Sequence, residues 1–581
     1  QKAPETSPKW LTLSGKQPVV VARGGFSGLF PESSSFANQI AVSTSLPDVV
    51  VSCNLQLTKD GVGVCLPDIR IDNSTTISSI YPKGQKSYTV NGQNLRGWFA
   101  LDFTSDELLN NVTLTQNILP VELFDGQLPI STVEDVTGVK PPQFWLSVPY
   151  DSFYNQNKLS PAAYIEQSAK TLIINYLSSP EIGFLKTMGG KVNKLKTKLI
   201  FQFLGPDQVE PTTKQKYSSI LQNLATVKSF ASGILVPKEY IWPVSSSGYL
   251  GNPTTLVANA HKQGLEVYAS GFSNDIPTSY NYSYDPTNEY IQYVDNSQFS
   301  VDGVLTDFPP TASEAIACFA HSKNGGKPQK GSALIISNNG ASGIYPGCTD
   351  LAYQRAVDDG ADIIDCSVQL SKDGVAFCLA SADLAGDTTA MMPFIDRKET
   401  IPEIQPEIGV FSFALTWSEI QTLKPQMVSP FGNSSILRNP ANKNLGKFVT
   451  LPEFLDFAKA KHFWDSDQHR DDTSVLSKFK DFPTYKKVLR IKEKIGDAPK
   501  PSVDEIKKYA DAVTIPRSAV IKVNDFFTVE LTNVVKELHA ANLLCTSMSC
   551  GMSMSLWLSI TSVTRLWRLL LMFKWLKPMA S

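Results

Sequence analysis

The sequence predicts an α/β protein made of two tandem (β/α)8 barrels, the second of them incomplete. Three observations lead there. The chain has 581 residues, more than one core organises, so two domains of roughly 250–300 residues are expected. Its two halves repeat one another. Within each half, short apolar runs alternate with helical patterns.

The repeat is read directly. GGFSGLFPESSSFANQIAVSTSLPDVVVSCNLQLTKDGVGVCLPDIRIDNSTT, from Gly24, is answered by NGASGIYPGCTDLAYQRAVDDGADIIDCSVQLSKDGVAFCLASADLAGDTT, from Asn339. Each copy has a glycine-rich turn, a helical stretch, a β-branched run, a KDG turn and a Thr-Thr pair. Further on, FALDFTSDEL from Phe99 answers FALTWSEI from Phe413, LPISTVEDV from Leu128 answers FVTLPEFLDF from Phe448, and ASGILVPKEYI from Ala231 answers ADAVTIPRSAV from Ala510.

The strands are expected at VVVA, VVVSC, FWLSV, KLIFQFL, GILV, EVYASG and DGVLTDF in the first copy. Strands spaced by helices imply a parallel sheet, and six to eight such units in about 300 residues imply a closed barrel. The expected organisation is an N-terminal segment at 1–16, a first barrel at 17–320, a polar Gly/Pro linker at 321–330, a second barrel at 331–543 and a non-repeating tail at 544–581.

Composition is that of a globular protein, 42% hydrophobic and 19% charged. A net charge of −2 gives no reason to expect a nucleic-acid partner. The first residue is Gln1, which reads as a chain whose signal peptide has been removed. Sequons at Asn73, Asn111, Asn281 and Asn433 suit a secreted glycoprotein. Cys53 and Cys65 flank one KDG turn, and Cys366 and Cys378 flank the other. Two strands joined at such a turn bring each pair opposite, so a disulfide is expected in each copy. The alternative is buried free thiols; the spacing is not that of a metal site. Disulfides point to an oxidising, extracellular setting.

Barrel enzymes carry their chemistry at the C-terminal ends of strands. There the sequence resembles the glycerophosphodiester phosphodiesterases, which carry HRG and PEN after the first strand, E-x-D before a T-K-D-G turn, and HD after the next strand. The resemblance implies two histidines as general acid and base, and a divalent cation, Ca or Mg, held by the E-x-D carboxylates and a later glutamate. In the first copy HRG reads Ala22-Arg23-Gly24, PEN reads Pro31-Glu32-Ser33, E-x-D reads Ser52-Cys53-Asn54, and HD reads Pro67-Asp68. The later glutamate falls at Ser147. In the second copy HRG is read as Asn338-Asn339-Gly340, PEN as Pro346-Gly347-Cys348, E-x-D as Asp365-Cys366-Ser367, and HD as Ala380-Ser381. The histidine positions are thus Ala22, Pro67, Asn338 and Ala380. The metal positions are Ser52, Asn54, Ser147, Asp365 and Ser367, with only Asp365 a carboxylate. The five histidines lie elsewhere: His261 and His539 in matched helices, His321 in the linker, and His462 and His469 in a stretch where the repeat falters.

The pattern is similar to the plant glycerophosphodiester phosphodiesterase-like family of tandem-domain cell-surface proteins, through ARGGFSGLFP in the first copy and NGASG-YPGCTDLAY in the second. The resemblance implies hydrolysis of a glycerophosphodiester to sn-glycerol 3-phosphate and an alcohol, and attachment to the outer plasma membrane by a lipid anchor, with a role in the cell wall. The substitutions argue against turnover and against the cation. Arg23 and Glu32 remain as candidate substrate-binding residues. The alternative is a non-enzymatic or structural protein that binds a glycan or a phospholipid head group, with Trp98 and Trp145 assisting.

Two stretches depart from the repeat. From Leu128 to Leu265 the first copy spends about 137 residues, while Thr450 to Leu543 spends about 93. About two βα units are therefore expected to be missing near Phe457 to Asp472, and a barrel lacking them does not close. After Asn542 the match stops. Arg565, Arg568 and Lys574 interrupt any membrane span in the tail. A basic amphipathic surface helix is one reading of it, and an out-of-frame translation is the one preferred. No anchor signal is read in the chain.

Overall fold

The structure is a computed structural model. It describes residues 10–116, 124–276, 279–283, 285–320, 334–427, 438–460, 468–470, 487–491, 500–524 and 527–548. The chain divides into two compact units, Gln1–Pro328 and Gln329–Ser581.

Eight parallel strands close the first unit: β1 (Val19–Arg23), β2 (Val50–Leu57), β3 (Gln143–Ser147), β4 (Tyr176–Ser179), β5 (Lys198–Gln202), β6 (Gly233–Pro237), β7 (Glu266–Phe272) and β8 (Gly303–Thr306). Each pairs with its neighbour in sequence, and β1 pairs with both β2 and β8, so no edge is left. Seven match the apolar runs read from the sequence. The eighth, β4, is the short YLSS segment, which has no β-branched residue to announce it.

Alternation along the strands fills the barrel. Val21, Val50, Trp145, Tyr176, Ile200, Leu235 and Tyr268 form one buried cluster. Trp145 stacks on Tyr176 at 4.9 Å, meets Tyr268 edge-on at 5.0 Å, and donates its indole N–H to Ser178 Oγ at 2.7 Å. Trp145 is therefore a core residue and not a ligand platform. Trp98 is likewise engaged elsewhere, donating to the Tyr81 carbonyl at 2.7 Å.

In the second unit, among the described residues, Ile336–Ser337 pairs in parallel with Ile363–Ile364. A separate parallel sheet runs Gln468–Arg470, Lys487–Arg490, Ala512–Pro516 and Leu544–Met548. That is six parallel strands in two sheets, against eight in one. The strand Leu544–Met548 pairs Ala512↔Leu544 as Gly233 pairs Glu266. The repeat thus runs as backbone pairing to Met548, past the expected limit at 543; residues 549–581 lie outside the described residues. No helix among the described residues is long and apolar enough to cross a membrane.

Local devices recur in both units. Disulfides join Cys53 to Cys65 and Cys366 to Cys378, each across an antiparallel pair, Leu55↔Cys65 and Val368↔Cys378. In each KDG turn the aspartate also reaches the start of a helix some 45 residues on: Asp60 accepts from the Ser105 N–H and Asp373 from the Trp417 N–H, both at 2.8 Å. Thr104 with Glu107 and Thr416 with Glu419 form matching capping boxes. They pair Phe99 with Phe411, two residues before the Phe413 match suggested by the shared Phe-Ala-Leu.

Candidate functional site

The mouth of the first barrel is built by the residues that follow each strand. Arg23 ends β1. Its Nε donates to Asp307 Oδ1 at 2.5 Å, and its Nη1 meets Glu32 Oε2 at 3.1 Å. Asp307 follows β8 and also accepts from Ser27 Oγ at 3.1 Å. The guanidinium therefore ties the first strand to the last. Burial pushes the Glu32 carboxyl up to about 7, against the pull of Arg23. Glu32, then Asp307 and Asp275, hold the Arg23 pKa above its ordinary value. The Arg23 side chain keeps 34% of its surface exposed, whereas Glu32 keeps 8%. Arg23 is thus the member of the pair with exposed surface, and Glu32 is the buried member that holds it.

Around this centre the positions that the resemblance assigns to catalysis hold small or neutral groups. Ala22 is fully buried. Ser52 Oγ donates to the Ala22 carbonyl at 3.2 Å, and the Asn54 amide donates to the Pro67 carbonyl at 3.1 Å. Ser147 sits opposite Asn54 in the β2–β3 ladder and opposite Ser178 in the β3–β4 ladder. Ser52, Asn54 and Ser147 thus lie on the neighbouring strands β2 and β3, and none is a carboxylate. Calcium or magnesium sites take several carboxylate and carbonyl oxygens. Here the donors are hydroxyls and an amide, with Glu32 already on a guanidinium, so the residues present do not fit the cation. Among the described residues no group of three or more His, Cys, Asp or Glu is arranged to hold a metal.

Several mouth residues were not singled out from the sequence. Asp307 and Asp275 both act on Arg23, and burial raises the Asp275 pKa. Asp68 accepts from the Tyr150 hydroxyl at 2.6 Å and acts on Glu32. Three carboxylates thus act on one guanidinium, with Asp68 acting on Glu32 behind it. Lys238, directly after β6, is buried against Glu289 at 2.7 Å and over the Phe272 ring at 5.2 Å. Glu181, after β4, accepts from Ser152 N–H and Oγ, and burial pushes it up to about 7. The usable signal was position: Asp307, Lys238 and Asp275 each come within a few residues of a strand's C-terminal end.

The second unit corrects one assignment. Gly25 and Gly340 share a positive φ, +82° and +76°, and a Cβ on either would strike the backbone of Ala37 or Ala352. Ser33 N donates to the Gly24 carbonyl as Cys348 N donates to that of Asn339. These pairings match Gly24 with Asn339, Arg23 with Asn338 and Ala22 with Ser337. The first histidine position of the second copy is therefore Ser337, and Asn338 stands where the first copy has Arg23. The disulfides confirm the other pairings: Ser52 with Asp365, Asn54 with Ser367, and Pro67 with Ala380. The Tyr353 hydroxyl donates to the Asp365 carbonyl at 3.2 Å, and Ser367 Oγ lies 3.5 Å from Asn339 Oδ1.

His261 lies far from this mouth. Its Nε2 meets Asp302 Oδ2 at 2.8 Å, before β8 begins. His539 is exposed in its helix. His321 and His462 lie outside the described residues, as does Asn433; His469 falls in the strand Gln468–Arg470. Asn73, Asn111 and Asn281 are exposed.

The model of the glycerophosphoryl diester phosphodiesterase family matches residues 25–311 and 339–519. Glycerophosphodiester phosphodiesterase GDPDL7 of Arabidopsis thaliana is 58% identical over 575 residues, covering 92% of this chain and 76% of that protein. GDPDL1 of the same plant is 45% identical over 585 residues, covering 93% and 76%. Among solved structures, an Oleispira antarctica phosphodiesterase in complex with the product sn-glycerol-3-phosphate is similar at 15% identity and a TM-score of 0.33, covering 52% of this chain and 98% of that one. With the family matched across both repeats and relatives of this identity, the chain belongs to the glycerophosphoryl diester phosphodiesterase family, among its plant phosphodiesterase-like members.

Proposed function

We propose that the first barrel is a non-hydrolytic binding module at the cell surface. Its mouth takes a polar, hydroxyl-bearing ligand: a cell-wall glycan, or the head group of a phospholipid or glycerophosphodiester. The observation that carries this reading is Arg23, clamped by Glu32 and Asp307 where Ala22, Ser52, Asn54 and Pro67 surround it. General acid–base transfer contributes about 10²–10⁴-fold to such a reaction, and neither histidine position holds a group able to supply it. The donor set supports a site without a resident divalent cation.

The exposed face of the Arg23 guanidinium supports contact with one ligand oxygen, a hydroxyl or a phosphate. The surrounding carboxylates Glu32, Asp68, Asp275 and Asp307 favour a ligand with little net negative charge. They also offer acceptors to hydroxyl groups.

The test is an assay on glycerophosphocholine with calcium, beside calorimetric binding of glycerophosphocholine and of a neutral oligosaccharide. The intact chain is compared with Arg23→Ala. The expected result is no turnover above that of the variant, with binding lost in the variant. Turnover by the intact chain that Arg23→Ala abolishes overturns the reading.

A further inference from the structure

Both units carry a β-hairpin at the same place in the repeat. In the first it is Lys86–Val90 with Gln93–Gly97, and in the second Glu399–Ile401 with Gln405–Gly409. Each is rooted by an equivalent bridge, Arg70↔Phe99 and Asp383↔Phe411. Each is a two-stranded sheet with both edges unpaired among the described residues.

The hairpins have taken opposite charge. Residues 83–97 hold Lys83, Lys86 and Arg96 and no acid; the matched residues 396–409 hold Asp396, Glu399, Glu403 and Glu407 beside Arg397 and Lys398, with Arg397 paired to Glu419. Lys83, Lys86, Arg96, Glu399, Glu403 and Glu407 are all exposed. Lys86 pairs with the buried Asp102 beneath it, and Arg96 donates to Gln85 at 2.9 Å. The three glutamates make no ion pair among the described residues. The acidic hairpin also presents apolar surface: Ile404, Ile408 and, just before it, Ile395 and Met392 are exposed, Ile408 by 55%.

We propose that the basic hairpin of one molecule docks on the acidic, isoleucine-bearing hairpin of a second copy of this chain. Opposite charge at equivalent exposed elements sets partner and orientation. The unpaired edges supply backbone donors and acceptors for strand addition, and Ile404 and Ile408 supply the apolar centre.

The experiment is sedimentation velocity on the full chain at about 50 mM and about 500 mM salt, with circular dichroism confirming that each variant is folded. The intact chain is expected to dimerise at low salt, with the association constant falling at least tenfold at high salt. Lys83→Glu with Arg96→Glu makes both hairpins acidic, and Glu403→Lys with Glu407→Lys makes both basic. Each double variant alone is expected to be monomeric, and a mixture of the two to associate. An intact chain that stays monomeric at low salt, or folded variants that do not associate on mixing, overturns the proposal. Dimerisation of either variant as strong as that of the intact chain does so too.

Discussion

The two units are one design with different closure. What is local is the same in both: the stapled hairpin, the aspartate that caps from the KDG turn, the threonine–glutamate box. What depends on distant chain differs. Leu57 on β2 is 1% exposed, and its counterpart Leu370 is 56% exposed. In the first unit the helix Asp151–Gln156 lies against this stretch, with the Tyr154 hydroxyl donating to Gln56 Oε1 at 2.7 Å. The second copy runs short where that helix would stand. A second contrast follows the same logic. Lys238 after β6 has Glu289, from the helix Pro286–Val294. Neither Lys238 Nζ nor its counterpart Arg517 Nη1 meets an acceptor in good hydrogen-bond geometry among the described residues, but only Lys238 has a carboxylate at ion-pair distance there, and the repeat stops before the segment that would answer that helix. These motifs survive a broken repeat because both partners lie in the stretch that the two copies keep, at most 45 residues apart; burial does not, because it is lent from elsewhere in the chain.

The largest test of this contrast is truncation at the matched leucines. Leu57→Ala is expected to cost the first unit about 2–5 kcal/mol, and Leu370→Ala to change the second by less than about 0.5 kcal/mol. Chemical denaturation of the full chain, with each unit's transition followed by hydrogen exchange, reads both; equal losses would break the comparison. Next is the disulfide. Replacing Cys53 and Cys65 by Ser is expected to remove about 3 kcal/mol, from the loop entropy of a 12-residue separation. Replacing Cys366 and Cys378 is expected to remove a similar amount from the second unit, since the staple is local.

Acidity separates the units again. Folding raises Glu32 from 4.5 to about 7, and Glu181 likewise. Between those values the folded state holds protons that the unfolded chain has released. The first unit should therefore lose stability as pH rises from about 4.5 to 7, by up to roughly 3 kcal/mol for each carboxyl. Denaturation midpoints across that range should show the slope reduced in Glu32→Gln and reduced further when Glu181→Gln is added, with burial of Asp151, Asp275 and Glu314 contributing the remainder. The second unit has Gly347 in place of Glu32 and should lack that part of the slope. The smallest effects are at the caps: Thr104→Ala and Thr416→Ala should each cost about 1 kcal/mol, measured as shifts in midpoint, and their near equality is the sign that the boxes are local.

Much of this was legible in the residues, and the failures have physical causes. β-branched runs marked seven barrel strands. Tyr176–Ser179 escaped because its inward residues are an aromatic and a serine, so it shows no apolar run. The disulfides could be read because their partners are 12 residues apart. Asp307, by contrast, reaches Arg23 across 284 positions of sequence, and only closure of the barrel reveals that pairing. Asn338 was set against Ala22 by counting back from Gly340, whereas the positive-φ pair places the turn one residue earlier. Trp145, which its residue type offers as an aromatic assisting a ligand site, is put in the core by the inward register of β3.

The end of the first barrel carries one more consequence. After β8 the helix Pro309–Glu314 and the turn Ala315–Phe319 run back along the barrel. Ser313 Oγ accepts from the Leu46 N–H at 3.1 Å, just before β2 starts. The chain therefore leaves this unit on the same side as it enters β1 at Val19, away from Arg23 and its carboxylates. Sequence can be fused, lengthened or lost on that side without a residue of the mouth being disturbed. A tandem copy can thus be acquired, and can erode, while the first keeps its shape.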